Sequence, residues 1–184
     1  MRALLLASVI VLPAAAQTVF QTPEQRAQLD QLLGALSEAT DPAAAAGLEV
    51  RIEKAWQLAG GPTAALMLNA AARHLQSGDG EAALADADAA LTLSPDLTEA
   101  FYRRGAARYQ RGDVAGAYHD LEETVRREPR HFAAWRLLSE IADAQGNSRA
   151  ALAAWRQLLA LDPQTEDADK KLKELTRKVQ GEAS

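Results

Sequence analysis

The three histidines are the residues best suited to acid–base or metal chemistry, and their spacing supports neither. His74, His119 and His131 include no pair four residues apart, and none lies near a carboxylate pair at zinc-ligand spacing. The few serines fall outside the G-x-S-x-G pattern of a nucleophile elbow, and Gly60-Gly61 lacks the residues that complete a phosphate-binding loop. There is no cysteine, which excludes thiolate metal sites and cysteine nucleophiles. We therefore predict a protein with no catalytic residue, no metal site and no cofactor.

Composition favours a helical protein that does not bind nucleic acid. Apolar residues make up 48% of the 184 residues but aromatic residues only 5%, so alanine supplies much of the core. Alanine favours helices that pack closely, and it is disfavoured in strands. The net charge of −5 argues against a protein that depends on phosphate contacts. We expect an all-α fold.

The N-terminus has the pattern of a secretory signal peptide. Met1-Arg2 precedes an apolar run of about ten residues, and the segment ends on small residues before Gln17. We expect residues 1–16 to be the signal peptide, with cleavage between Ala16 and Gln17. A bilayer-spanning helix needs about 20 apolar residues, so stable membrane insertion after signal removal is not expected. An uncleaved anchor and a short apolar extension of a cytosolic protein are the alternatives.

Small and helix-breaking residues recur with a spacing of 34 residues through most of the chain. The recurring positions are a proline (Pro95, Pro129, Pro163), a glycine (Gly78, Gly112, Gly146), an Asp or Asn directly after it (Asp79, Asp113, Asn147), and two small residues twelve apart (Ala71 and Ala83, Gly105 and Ala117, Ser139 and Ala151). The glycine can end a first helix in the left-handed conformation, and the Asp or Asn can cap the second helix. Proline marks the end of the second helix. The small residues let the two helices approach closely, so the spacing predicts three antiparallel helix pairs.

This order of residues resembles that of the tetratricopeptide repeat family. The match is best at 132–163, where Trp135, Leu138, Gly146, Trp155 and Pro163 occupy the family's marked positions. The resemblance implies a right-handed superhelix of antiparallel helix pairs, with repeats at 64–97, 98–131 and 132–163. It also places His74 at a core-facing position, where we expect a packed histidine.

Two helical segments flank the repeats. Residues 17–63 contain two helix starts, Thr22-Pro23-Glu24-Gln25 and Asp41-Pro42, without the small-residue pattern. We interpret them as a degenerate repeat that caps the N-terminal end of the array. Within residues 164–184, Gln164–Val179 should form an amphipathic capping helix before a frayed tail.

The resemblance implies binding in a concave groove lined by the first helix of each pair. The family's groove positions correspond here to Asn69, Tyr102, Arg103, Tyr109, Arg136, Glu140 and Asp143. Tyrosines offer rigid contact area, and arginines offer forks for a partner's carboxylates. The layout is similar to that of small exported repeat proteins of Gram-negative envelopes. We therefore expect a periplasmic scaffold or adaptor that binds a protein or peptide and takes part in assembling envelope complexes.

Two other functions remain open at this stage. One is a structural role through self-association by the ends of the array or by exposed helix faces. The other is a holdase-like role for unfolded exported clients such as apocytochromes.

Overall fold

The computed structural model describes residues 22–182, so the predicted signal peptide and the cleavage site between Ala16 and Gln17 lie outside the described residues. This part of the chain is all-helical and pairs its helices in chain order. The helices are α1 (Pro23–Ser37), α2 (Pro42–Leu58), α3 (Gly61–Gln76), α4 (Gly80–Leu93), α5 (Thr98–Gln110), α6 (Val114–Arg127), α7 (Phe132–Ala144), α8 (Ser148–Leu161) and α9 (Ala168–Glu182). None of them is long and apolar enough to cross a membrane.

The recurring glycines end the first helix of each pair, as predicted. Gly78, Gly112 and Gly146 have φ angles of 78°, 80° and 72°, which L side chains rarely adopt. The next residue then caps the second helix. The side chains of Asp79, Asp113 and Asn147 accept hydrogen bonds from the backbone N–H groups of Ala82, Gly116 and Ala150.

The small residues bring the two helices of each pair into close contact. A Cβ on Gly105 would lie 3.3 Å from the carbonyl oxygen of Ala117. At the same place in the next repeat, the Ser139 hydroxyl donates a 2.9 Å hydrogen bond to the Ala151 carbonyl. The pairs α3–α4, α5–α6 and α7–α8 therefore form as the spacing predicts, and they stack into a solenoid.

The C-terminal helix covers the last repeat but begins later than expected. It starts at Ala168 rather than at Gln164, because the intervening residues form turns in which Thr165 is buried and Asp167 has a φ of 56°. The indole N–H of Trp155 donates to the Ala168 carbonyl at 3.2 Å and joins α8 to the new helix.

The helices of the N-terminal pair, α1 and α2, begin where the sequence predicts. Thr22 and Gln25 form a capping box at the start of α1, and Asp41 caps α2. Helix α3 then begins at Gly61, three residues before the expected start of the first repeat.

The N-terminal pair contacts α3 and also reaches across the array to the last repeat. Trp56 of α2 stacks on the His131 ring, with centroids 4.2 Å apart, and lies 5.3 Å from Phe132. Asp30 of α1 pairs with Arg130 at 2.8 Å. The pair thus crosses the edge of the array and shares one core with the last repeat. The inner face of the N-terminal pair carries large side chains, which keep helices apart. The pair therefore packs on a broad apolar surface of the array rather than closely on α3 alone.

Candidate protein-binding groove

The first helices of the three repeats line one groove on the concave side of the solenoid. Its volume is about 470 Å³, and α3, α5 and α7 all contribute to its walls. Alanines 72, 106 and 133 are among the lining residues, and because these side chains are small they leave room for a ligand. Leu75 and Leu137 add apolar walls. The groove offers an open surface of mixed polarity, of the kind that accepts a peptide or helix.

Five of the seven residues predicted for the groove line it, and two do not. Tyr102, Arg103, Tyr109, Arg136 and Glu140 are in the lining. The two others, Asn69 and Asp143, are on α3 and α7 but outside it.

Asp143 is already bound within the chain. The Nζ atoms of Lys171 and Lys178, both on α9, lie 2.7 and 2.6 Å from its carboxylate oxygens. Hydrogen bonds from these two lysines lower the pKa of Asp143. Asp143 therefore anchors the C-terminal helix in this structure.

The Arg103 guanidinium is also committed within the chain. Its Nε donates to Glu99 at 2.7 Å, and the Glu99 side chain is buried. The second oxygen of Glu99 lies 3.1 Å from Nε2 of His131, whose Nδ1 accepts from the backbone N–H of Ala134 at 3.2 Å. Because Nδ1 accepts this hydrogen bond, it carries no proton. In the neutral ring the proton is therefore on Nε2, which donates a hydrogen bond to Glu99.

The electrostatics of this buried group are balanced. Burial opposes the charged form of Glu99, but the positive charge of Arg103 and the hydrogen bond from His131 lower its pKa overall. Arg103 thus gives the groove wall a charge that Glu99 already neutralises. From the sequence, the Arg103 guanidinium is expected to bind a partner's carboxylate. In the structure its Nε instead binds the Glu99 side chain at the base of the groove.

Arg136 is held in a similar way at the neighbouring repeat. One terminal nitrogen donates to the Thr165 hydroxyl at 2.7 Å. The same nitrogen lies 3.8 Å from Glu49 and 3.7 Å from Asp162, both carboxylates from other elements.

The tyrosines and Glu140 form the less charged part of the lining. Burial raises the pKa of Tyr102 to about 12, so its hydroxyl stays protonated and can donate. Tyr109 is half-buried at the far end of the same helix face. Burial also raises the pKa of Glu140, against the opposing charges of Arg136 and Lys171.

The apolar and amide residues of the groove were missed by the sequence analysis, although the repeat period carries a signal for them. Ala72 and Ala106 are 34 residues apart, and so are Gln76 and Gln110. Leu137 is 34 residues after Arg103. Extending the predicted positions by one period reaches Leu75 from Tyr109, Ala106 from Glu140 and Leu137 from Arg103, but it does not reach the two glutamines.

The histidines do not converge on a reactive site. Nδ1 of His74 lies 2.8 Å from Asp86, and its side chain is 40% exposed, so the expectation of a packed histidine is wrong. His119 is exposed, and His131 is the buried helix cap described above. Within residues 22–182, no three His, Cys, Asp or Glu side chains gather as metal ligands.

Comparison with known proteins agrees with this architecture. No protein-family model matches the chain. It is 31% identical over 160 residues to a protein from Rhizobium etli described as a TPR repeat-containing protein, a match that covers 87% of this chain and 78% of that protein. A match of 160 residues is longer than the three repeats together. The chain therefore belongs to the tetratricopeptide repeat family.

Proposed function

We propose that this chain is a periplasmic adaptor whose concave groove binds a segment of another protein during assembly of envelope complexes. Repeats of this family generally mediate protein–protein interaction, which supports the proposal. No bond is made or broken, since docking is the whole function.

The observation that carries the proposal is the continuity of the groove across three repeats. One groove, with a volume of about 470 Å³, runs from Leu75 on α3 past Tyr109 on α5 to Leu137 on α7. The arginines at its base are engaged by carboxylates or hydroxyls of the chain itself. A partner is therefore expected to gain affinity from apolar side chains that enter between the helices. Hydrogen bonds to the glutamine and tyrosine side chains of the lining would add to it.

The experiment is a site-specific crosslink in intact cells. A photo-crosslinking residue at the exposed Gln110 should capture one or two proteins of the envelope. The double variant Tyr109→Glu, Leu137→Glu should lose them, because two carboxylates would be buried against the ligand.

A matched control separates the groove from a simple change of charge. The variant Ala85→Glu, Ala153→Glu adds the same two charges at exposed positions on second helices, and it should keep the captured proteins. Unchanged capture by the groove variant would count against the proposal. Arg103 is left intact, since its replacement would break the pair with Glu99.

Self-association is a second candidate, favoured by a separate observation at the N-terminal end of the array. Leu66 on α3 is 64% exposed. The equivalent residues one and two periods later, Ala100 and Ala134, are fully buried beneath the preceding repeat. The N-terminal pair does not cover this face, so a helix of another copy has room to stack there.

Light scattering at several concentrations tests this second candidate. A mass that rises with concentration and returns to the monomer value in Leu66→Glu supports it. A monomer at all concentrations excludes it and leaves the adaptor.

A further inference from the structure

The interface between the N-terminal pair and the array contains two carboxyl groups from distant parts of the chain, one fully buried and one 23% exposed. Glu49 lies on α2, and Asp162 directly follows α8. Asp162 is fully buried, and neither of its oxygens has a hydrogen-bond partner when both carboxyls are ionised. The Arg136 guanidinium is 3.7 Å from Asp162 and 3.8 Å from Glu49, too far for a hydrogen bond to either.

The charged groups around this pair leave an excess of acid. Arg136 faces it from α7, and Glu53 faces it from one turn further along α2. Glu53 is itself close to Arg103, Glu99 and His131, and burial raises its pKa. Arg136 opposes Glu49 and Glu53, and Arg103, which is paired with Glu99, also opposes Glu53, so two arginines face four carboxyls.

A proton shared between Glu49 and Asp162 removes this conflict. A protonated Glu49 carboxyl can donate to Asp162 and give the buried carboxylate its missing partner. Burial, followed by the hydrogen bond to Asp162, raises the pKa of Glu49 to about 7. Two ionised carboxylates in contact would instead repel each other in a partly desolvated site.

We propose that the N-terminal pair is a proton-dependent latch, which closes on the array when protonated Glu49 donates a hydrogen bond to the Asp162 carboxylate and opens when both carboxyls ionise. The other polar contacts across this interface are weak. Asp30 and Arg130 are 50% and 38% exposed, and such pairs contribute little stability. The indole N–H of Trp56 is buried without a hydrogen-bond partner, which further favours local opening.

Opening changes the surface next to the groove. Two residues that line the groove also belong to this interface. Arg136 lies 3.8 Å from Glu49 of α2, and Tyr102 packs against the core that the pair shares with the last repeat, so the closed latch forms one end of the groove. When the pair leaves, Phe132 on the array loses the apolar cover of Trp56. The latch therefore controls how far the groove extends.

The direction of the pH effect follows from the two states of Glu49. In the open state its pKa returns towards the ordinary value of 4.5, whereas in the closed state it is about 7. Between these values the closed state holds one more proton, so opening becomes more favourable as pH rises, by at most about tenfold per unit. Solvent access to Glu49 reduces the effect, and we expect at least about a tenfold rise in the opening equilibrium constant between pH 5 and pH 8.

Pulsed electron paramagnetic resonance can follow the latch directly. The chain has no cysteine, so spin labels can be placed at the exposed positions Ala46 on α2 and Gln157 on α8. We expect one short distance at pH 5 and a growing fraction of longer, broader distances at pH 8. A second labelled pair, at Glu81 and Glu122 within the array, should not change.

Two isosteric variants identify the responsible pair. Glu49→Gln keeps a donor facing Asp162 without the titration, so the latch should stay closed at both pH values. Asp162→Asn should weaken the pH response, since no buried carboxylate would remain to repel Glu49, whereas the burial that contributes most to the raised pKa of Glu49 would persist. A constant distance in the wild type, or an unchanged pH response in both variants, would overturn the proposal. The measurement uses the protein alone, so its result is independent of whether the groove binds a partner.

Discussion

Asp120 should be the most sensitive charged residue of the array, because from a fully buried position it holds two arginines of α5, one of which also reaches the preceding repeat. Arg104 donates to its two oxygens from Nε and Nη2, at 2.9 and 2.7 Å, and Arg108 donates from Nη1 at 2.7 Å. Arg104 also reaches Asp88 on α4 at 3.1 Å. The substitution Asp120→Asn keeps the volume of the side chain but removes the charge and turns one acceptor into a donor that faces arginine donors.

The size of the loss follows from the exposure of the partners. Removing one partner of a buried ion pair costs about 3–5 kcal/mol when the other is sealed from water. The side chains of Arg104 and Arg108 are 19% and 26% exposed, so water can solvate them in part. We therefore expect Asp120→Asn to lower the free energy of unfolding by about 2–3 kcal/mol, with a fall in Tm of about 5–10 °C.

Urea and thermal unfolding followed by circular dichroism measure this loss, and Asp88→Asn is the matched control. The Asp88 side chain is 53% exposed and bonds to the same arginine, so its substitution should cost at most about 0.5 kcal/mol. Equal losses in the two variants, or no loss in Asp120→Asn, would refute the reasoning from burial.

Three further predictions concern the backbone, the helix contact and the N-terminus. Gly146→Ala should lower stability by about 1–2 kcal/mol because φ is 72°, whereas Gly34→Ala, inside α1 with open space around it, should raise stability by about 0.5–1 kcal/mol in the same unfolding assay. Ser139→Ala should cost about 1 kcal/mol through loss of the buried bond to the Ala151 carbonyl, and a value near zero would mean that a water replaces the hydroxyl. Sequencing of the protein purified from the envelope should begin at Gln17; an intact Met1 would contradict cleavage of a signal peptide.

The repeat architecture was predictable because its determinants are local. A glycine that must be left-handed, such as Gly112, and the capping Asp113 act within a few residues of themselves. The close approach at Gly105 and Ala117 depends only on two small side chains at a fixed spacing. Each of these effects needs no knowledge of the rest of the molecule, so the pattern alone determines the helix pairs and their order.

The groove was predictable in part through the resemblance to the family. Positions such as Tyr102, Tyr109 and Arg136 were expected there because they match the family's groove positions. Their charge state did not follow. The partner of Arg103 is buried and joined to His131 from another repeat, and Asp143 is held by lysines of the last helix. These pairings arise only when separate elements are packed together.

The sequence by itself determined the helices, their caps and the 34-residue period, because each depends on backbone conformation and side-chain size over a short stretch of chain. Only the tertiary structure decided where the N-terminal pair docks. Its contacts, Asp30 with Arg130, Trp56 with His131 and Glu49 with Asp162, join residues far apart in the chain. No periodic pattern in the sequence predicts these contacts. They depend on how the stacked repeats curve, because the curvature decides which apolar surface of the array is open to the pair.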